Sequence, residues 1–184
     1  MSTTAISSTT RSVAEDMEAT VRRYFNGVNE KDPDMIRSCF GETATIRDVC
    51  ALNAADVDAI GATEARTVEA DVLVQRCMEF LKAHPDCLVR FHYGPECGRQ
   101  GDWVVAHWYE VGTWMGTSEG IGPPDGKALP MAVEGQTRFR VDPNQNFTIQ
   151  EIVVTRTFTE WEKALLKKRK AEEAAAAAAA STAA

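Results

Sequence analysis

The chain has 184 residues, 44% of them hydrophobic, and a formal charge of −7. That is enough apolar material for a single core and a single domain. It is also too acidic for a nucleic-acid surface, which needs a concentrated basic face, and no apolar run approaches the ~20 residues that span a bilayer.

Residues 1–11 are rich in Ser and Thr with Arg11 as the first base, and they read as a disordered terminus. Order is expected from Ser12, where Ser12 and Glu15 have the spacing of a capping box. Met17, Val21, Phe25 and Val28 then recur at helical spacing and give one apolar stripe. Asp32-Pro33 opens a short second helix whose buried side is Met35, Ile36, Cys39 and Phe40. Thr43 to Val49 is β-branched and reads as a first strand ending at Asp48.

The acidic, alanine-rich segment from Cys50 to Ala70 lacks a clear period and reads as a loop with at most one helical turn. A helix over Val72–Ala83 follows, with Val72, Leu73, Cys77, Phe80 and Leu81 inward, stopped by His84-Pro85-Asp86. His84 there reads as a partner of the helix C-terminus. Four strands are then expected: Cys87–Tyr93, Asp102–Trp114, Leu129–Val141 and Phe147–Thr155, with Gly94-Pro95 in the first turn. Thr159 and Glu162 repeat the capping-box spacing, and Trp161, Leu165 and Leu166 can dock the start of a last helix. Beyond it lie the solvated charges Lys167–Lys170 and the alanine run Ala174–Ala180.

The five cysteines, Cys39, Cys50, Cys77, Cys87 and Cys97, are odd in number and include no Cys-x-x-Cys pair. They supply no metal-site spacing and no disulfide framework, so they read as free thiols in a reducing compartment. That points to a soluble intracellular protein, cytoplasmic or organellar.

The order helix, helix, strand, helix, four strands is an α+β domain over 12–158, with helices on one face of a curved antiparallel sheet, followed by a helical tail over 159–184. Val21-Arg-Arg-Tyr-Phe-Asn-Gly-Val-Asn-Glu-Lys-Asp32, Ala44-Thr-Ile-Arg-Asp48 and His84-Pro-Asp-Cys-Leu-Val-Arg90 carry a family likeness, as do Gly101-Asp-Trp-Val-Val-Ala-His-Trp108 and Val111-Gly-Thr-Trp-Met-Gly116. Pro123-Pro-Asp-Gly-Lys127 and Arg138-Phe-Arg-Val141 extend it. With these motifs the chain resembles the SnoaL-like polyketide cyclases of the nuclear-transport-factor-2-like superfamily, over roughly residues 15–158.

The resemblance implies a cone-shaped domain with a hydrophobic pocket between sheet and helices. It also implies a homodimer through the outer sheet face and acid/base chemistry by a carboxylate with a histidine, with no metal and no organic cofactor. The cyclase aspartate falls at Thr137, three residues before Arg140, and the cyclase histidine falls at Trp114, after Gly112-Thr113. Neither replacement is a base near neutral pH.

Other residues are candidates for the missing pair. Alternation puts Val133, Gly135, Thr137 and Phe139 on the pocket side of their strand, with Glu134, Gln136, Arg138 and Arg140 outside. On the preceding strand His107, Tyr109, Val111 and Thr113 share one side and Trp108, Glu110, Gly112 and Trp114 the other; a bulge near Gly112 would exchange them. The candidate catalytic residues are Asp48, His92 and His107, histidine having an ordinary pKa near ~6.5 that suits proton transfer. The candidate ligand-binding residues are Tyr24, Trp108, Trp114, Thr137 and Phe139.

Two functions follow. With the acid/base pair replaced and a helical tail added, the first is a non-catalytic module that binds a small hydrophobic molecule or assembles into a larger complex through its sheet face or tail. The alternative is a cofactor-independent cyclase or isomerase acting on a hydrophobic ring or an enolisable substrate.

Overall fold

The computed structural model describes residues 12–50, 65–98, 101 and 103–182, with backbone only at 48–50 and 182. The opening segment 1–11 and most of the Cys50–Ala70 stretch therefore lie outside the described residues.

The chain begins with helix α1, Val13–Glu30, capped reciprocally: Glu15 N–H donates to Ser12 Oγ at 3.3 Å and Ser12 N–H donates to Glu15 Oε2 at 2.7 Å. Its stripe Met17, Val21, Phe25 and Val28 is fully in the core. Asp32 caps the short helix α2, Pro33–Arg37, which buries Ile36, and Cys39 and Phe40 are buried just beyond it. Strand β1 spans Phe40–Cys50 and pairs with β2, Arg66–Glu69. Four residues of strand thus stand at the end of a stretch whose composition reads as loop. Pairing to Thr43–Ile46 fixes them there, a tertiary contact that local propensity does not carry.

Helix α3, Ala70–Ala83, follows directly and buries Leu73, Val74 and Leu81. At its end His84 is fully buried, its Nδ1 donating to the Phe80 carbonyl at 2.9 Å and its ring stacked on Phe80. Burial lowers its pKa, the Phe80 hydrogen bond acting against it, so the ring serves the helix end as a neutral donor rather than as a charge.

Strands β3 (Leu88–Cys97), β4 (Trp103–Trp114), β5 (Leu129–Asp142) and β6 (Thr148–Arg156) complete a six-stranded sheet in the order β2-β1-β6-β5-β4-β3. Every pairing is antiparallel except β1 with β6. β3 runs on past Gly94-Pro95, where the sequence reads a turn. Its register against β4 slips between Phe91 and Tyr93 and again before Glu96, so the strand bends instead of ending.

The β4–β5 pairing is unbroken from Trp103↔Arg140 to Trp114↔Leu129. No bulge occurs at Gly112, and Val104, Ala106, Trp108, Glu110 and Trp114 all turn inward beside Val133, Thr137 and Phe139. Helices α1 and α3 pack on that inner face, α1 against β3 to β6 and α3 against β1 and β2.

Helix α4, Glu160–Thr182, stays against the domain through its first turns, as far as Arg169, and then leaves it. Trp161 is buried against Ala83 and Trp114, with Leu165 packed alongside, while the alanine-rich remainder is exposed. Among the described residues no helix is long and apolar enough to cross a membrane.

Candidate functional site

Between the inner sheet face, α1, α3 and the first turns of α4 lies a cavity of about 420 Å³, within the range of small-molecule sites. Tyr24, Phe25 and Val28 line it from α1, Leu73, Cys77 and Phe80 from α3, and Trp108, Glu110, Thr137, Phe139 and Ile152 from the sheet. The aromatic wall is built edge-on. Tyr24 meets Phe25 and Phe40 at 5.2 and 5.8 Å between ring centroids, and Phe25 meets Phe139 at 5.6 Å.

The position of Trp108 depends on a missing side chain across the strand pair. Trp108 lies opposite Gly135, and a Cβ built on that glycine would come within 2.6 Å of the indole ring. The indole Nε1 donates to Thr137 Oγ1 at 2.8 Å, so the threonine accepts from the protein and keeps its own proton to offer.

Among the described residues, Glu110 is the one carboxyl group that lines this interior from the sheet. It is 7% exposed, and its Oε1 accepts from Cys87 Sγ at 2.9 Å. Burial pushes the Glu110 carboxyl above the ordinary carboxylate range, with Glu162 adding to it; the Cys87 donor and the Arg156 guanidinium pull the other way. Burial, then the charge of Glu110, pushes the Cys87 thiol up as well, and the Cys77 thiol is pushed up to about 12, so neither thiol is a nucleophile near neutral pH.

The floor near α4 is closed by an ion pair. Arg156 at the end of β6 makes two hydrogen bonds to Glu162, Nη2 to Oε1 at 2.6 Å and Nη1 to Oε2 at 2.9 Å. Glu162 also accepts from the Thr159 N–H at 2.9 Å and donates its own N–H to Thr159 Oγ1 at 3.2 Å, which completes the capping box that starts α4. Burial alone would raise the Glu162 carboxyl, yet Arg156 and the Thr159 donors outweigh it and hold it below the ordinary range.

The residues singled out from sequence divide between two faces. Tyr24, Trp108, Thr137 and Phe139 line the cavity, whereas Trp114 is buried in the separate cluster with Ala83 and Trp161, its Nε1 donating to the Gly116 carbonyl. His92 and His107 stand on the outer face, where both approach Glu134 Oε1, at 3.6 and 2.8 Å. The sheet separates them from the cavity, so the histidines and the cavity lining are not brought together. Asp48 lies opposite Val154 by its backbone, and its side chain is outside the described residues.

Glu110 is what sequence reasoning passed over. Its signal was a lone charge in the otherwise apolar set Val104, Ala106, Trp108 and Trp114, legible only once that set is known to face inward. Among the described residues no group of three His, Cys, Asp or Glu side chains is placed to hold a metal ion.

No protein-family model matches the sequence, and no curated protein matches it. Solved structures do match. One is a candidate SnoaL-like polyketide cyclase from Shewanella denitrificans, 15% identical, with a TM-score of 0.56 over 83% of this chain and 97% of that one. A candidate polyketide cyclase from Xanthomonas campestris is 17% identical, with a TM-score of 0.58 over 78% and 92%. SalBIII, an epoxide hydrolase/cyclase-like enzyme of pyran ring formation in the polyether salinomycin, is 20% identical, with a TM-score of 0.55 over 79% and 94%. At these identities the likeness is one of architecture: the chain has the α+β fold of the SnoaL-like structures, and its chemistry has to be argued from its own residues.

Proposed function

We propose that this protein is an acid/base enzyme that moves a proton on a hydrophobic ring or enolisable substrate, with Glu110 as the group that carries it. The observation behind this reading is a buried carboxyl group, Glu110, set among the aromatic walls of a ligand-sized cavity and, unlike Glu162 in the same lining, not hydrogen-bonded to a guanidinium. Burial destabilises the ionised form, so the carboxylate, once formed, is a stronger base than a solvated one, and the protonated form persists as an acid to higher pH. Trp108 and Thr137 shape the wall beside it, and the Thr137 proton is available to a substrate oxygen. The structural neighbours named as cyclases favour this enzymatic reading over the non-catalytic module to which the sequence alone inclines.

The position differs from the one expected from the SnoaL-like cyclases. The resemblance puts their aspartate at Thr137 on β5, and Glu110 would supply the carboxyl from β4, the neighbouring strand. A test needs no knowledge of the natural substrate. Deuterium incorporation at the enolisable carbon of β-tetralone in heavy water, followed by NMR, should be accelerated by the protein. Glu110→Gln, which keeps the shape and removes the base, should slow it by about 10²-fold or more. Equal rates for the two proteins would rule out Glu110 as the proton carrier.

A further inference from the structure

The mouth of the cavity carries charge that its interior does not explain. Strand pairing sets Arg66 opposite Ile46, and Ile46 lines the cavity, so Arg66 faces the same way. On α3, Leu73, Arg76, Cys77 and Phe80 all line it, at the spacing of one helix face. Both arginines are exposed while Glu110 is buried, which places them at the rim.

The other charges that line the cavity are engaged within the protein. Glu110 accepts from Cys87, Arg156 pairs with Glu162, Arg169 stands 3.8 Å from Glu119, and Glu79 accepts from the Ser118 hydroxyl. The side chains of Arg66 and Arg76 have no ion pair or hydrogen bond among the described residues. On a chain of net charge −7, two unpaired guanidinium groups at the edge of an apolar cavity are a local exception to the overall charge.

We propose that the ligand is amphiphilic, with a hydrophobic ring or acyl body in the cavity and an oxyanion, carboxylate or phosphate, held at the mouth by Arg66 and Arg76. This rests on the cavity being the substrate site and adds the charge and orientation of the substrate. Guanidinium forks match the planar, bidentate geometry of such groups. An oxyanion anchored there points the apolar end of the molecule inward, toward Glu110.

Two fluorescent probes separate the parts. Anilinonaphthalene sulfonate and N-phenylnaphthylamine share an aromatic body, but only the first carries an anion. In the full chain, Arg66→Gln/Arg76→Gln should weaken the sulfonate about fivefold to tenfold and leave the neutral probe unchanged. Added salt should weaken the sulfonate on the wild type more than on the variant. Decanoate and decyl phosphate then compete for the sulfonate, and the stronger competitor names the oxyanion.

The proposal is overturned if both probes weaken equally, if neither does, or if neither amphiphile competes. Because β-tetralone is uncharged, its exchange should survive in the double variant. The catalytic reading and this inference can therefore fail separately.

Discussion

Strands β4 and β5 carry glutamates on opposite faces of one sheet, and the two live in different chemistry. Glu134 on the outer face is exposed and lies within reach of both His92 and His107, a cluster open to water on its outer side. Glu110 on the inner face is 7% exposed, takes one hydrogen bond from Cys87, and looks into an aromatic cavity. By residue type the outer cluster is the better catalyst, with two histidines and a carboxylate. By environment the inner carboxyl is better placed, because burial rather than identity changes what a carboxyl can do.

The sharpest way to break this comparison is to neutralise each glutamate in turn. Glu110→Gln should cost about 10²- to 10⁴-fold in β-tetralone exchange, while Glu134→Gln leaves the rate unchanged. A loss in Glu134→Gln alone would move the chemistry to the outer face.

The next effect is on the inner framework. Glu162→Ala removes the carboxylate that makes two hydrogen bonds to Arg156, in a site where both side chains are 15% exposed, and it also removes the capping box of α4. A loss of about 3 kcal/mol by urea unfolding is expected. The pair's pH dependence follows from its sign. The Glu162 carboxyl is held below its unfolded value, so its stabilisation is present above the unfolded carboxylate range and is lost as pH falls through the lowered value. The gap between wild type and Glu162→Ala should therefore close in acid.

Smaller still is Gly135→Ala, which drives a methyl into the Trp108 ring. It should cost about 2 kcal/mol and distort the cavity wall. Glu110→Gln, besides losing activity, should raise the melting temperature by a few degrees at pH 8. The Glu110 carboxyl is raised on folding, so ionising it costs stability as pH rises through that window; below the window the glutamine advantage should vanish. On the outer face, His92→Ala and His107→Ala should each change stability by only about 0.5 kcal/mol or less.

Local chemistry is what the sequence states well. The Ser12–Glu15 and Thr159–Glu162 boxes and the Met17, Val21, Phe25 and Val28 stripe need only neighbours along the chain, and each is found in the structure. The inward set Val133, Gly135, Thr137 and Phe139 was legible because β5 alternates sharply between apolar and polar. β4 was not, since both of its faces mix aromatic and polar groups. Only the pairing of Trp108 with Gly135, a contact across a loop, fixes which face is inside. That one missing fact hid Glu110 and made the histidines attractive. Strand β2 was hidden for the same reason, because its partner, not its composition, makes it a strand.

The most direct measurement is a titration of the Glu110 side-chain carboxyl by carbon-13 NMR in glutamate-labelled protein, its resonance assigned by its absence in Glu110→Gln. Burial in the cavity wall predicts a midpoint clearly above the ordinary glutamate value of 4.5. A midpoint at or below 4.5 would mean that the carboxyl is solvated or stably paired, and the account of an interior proton carrier would be wrong.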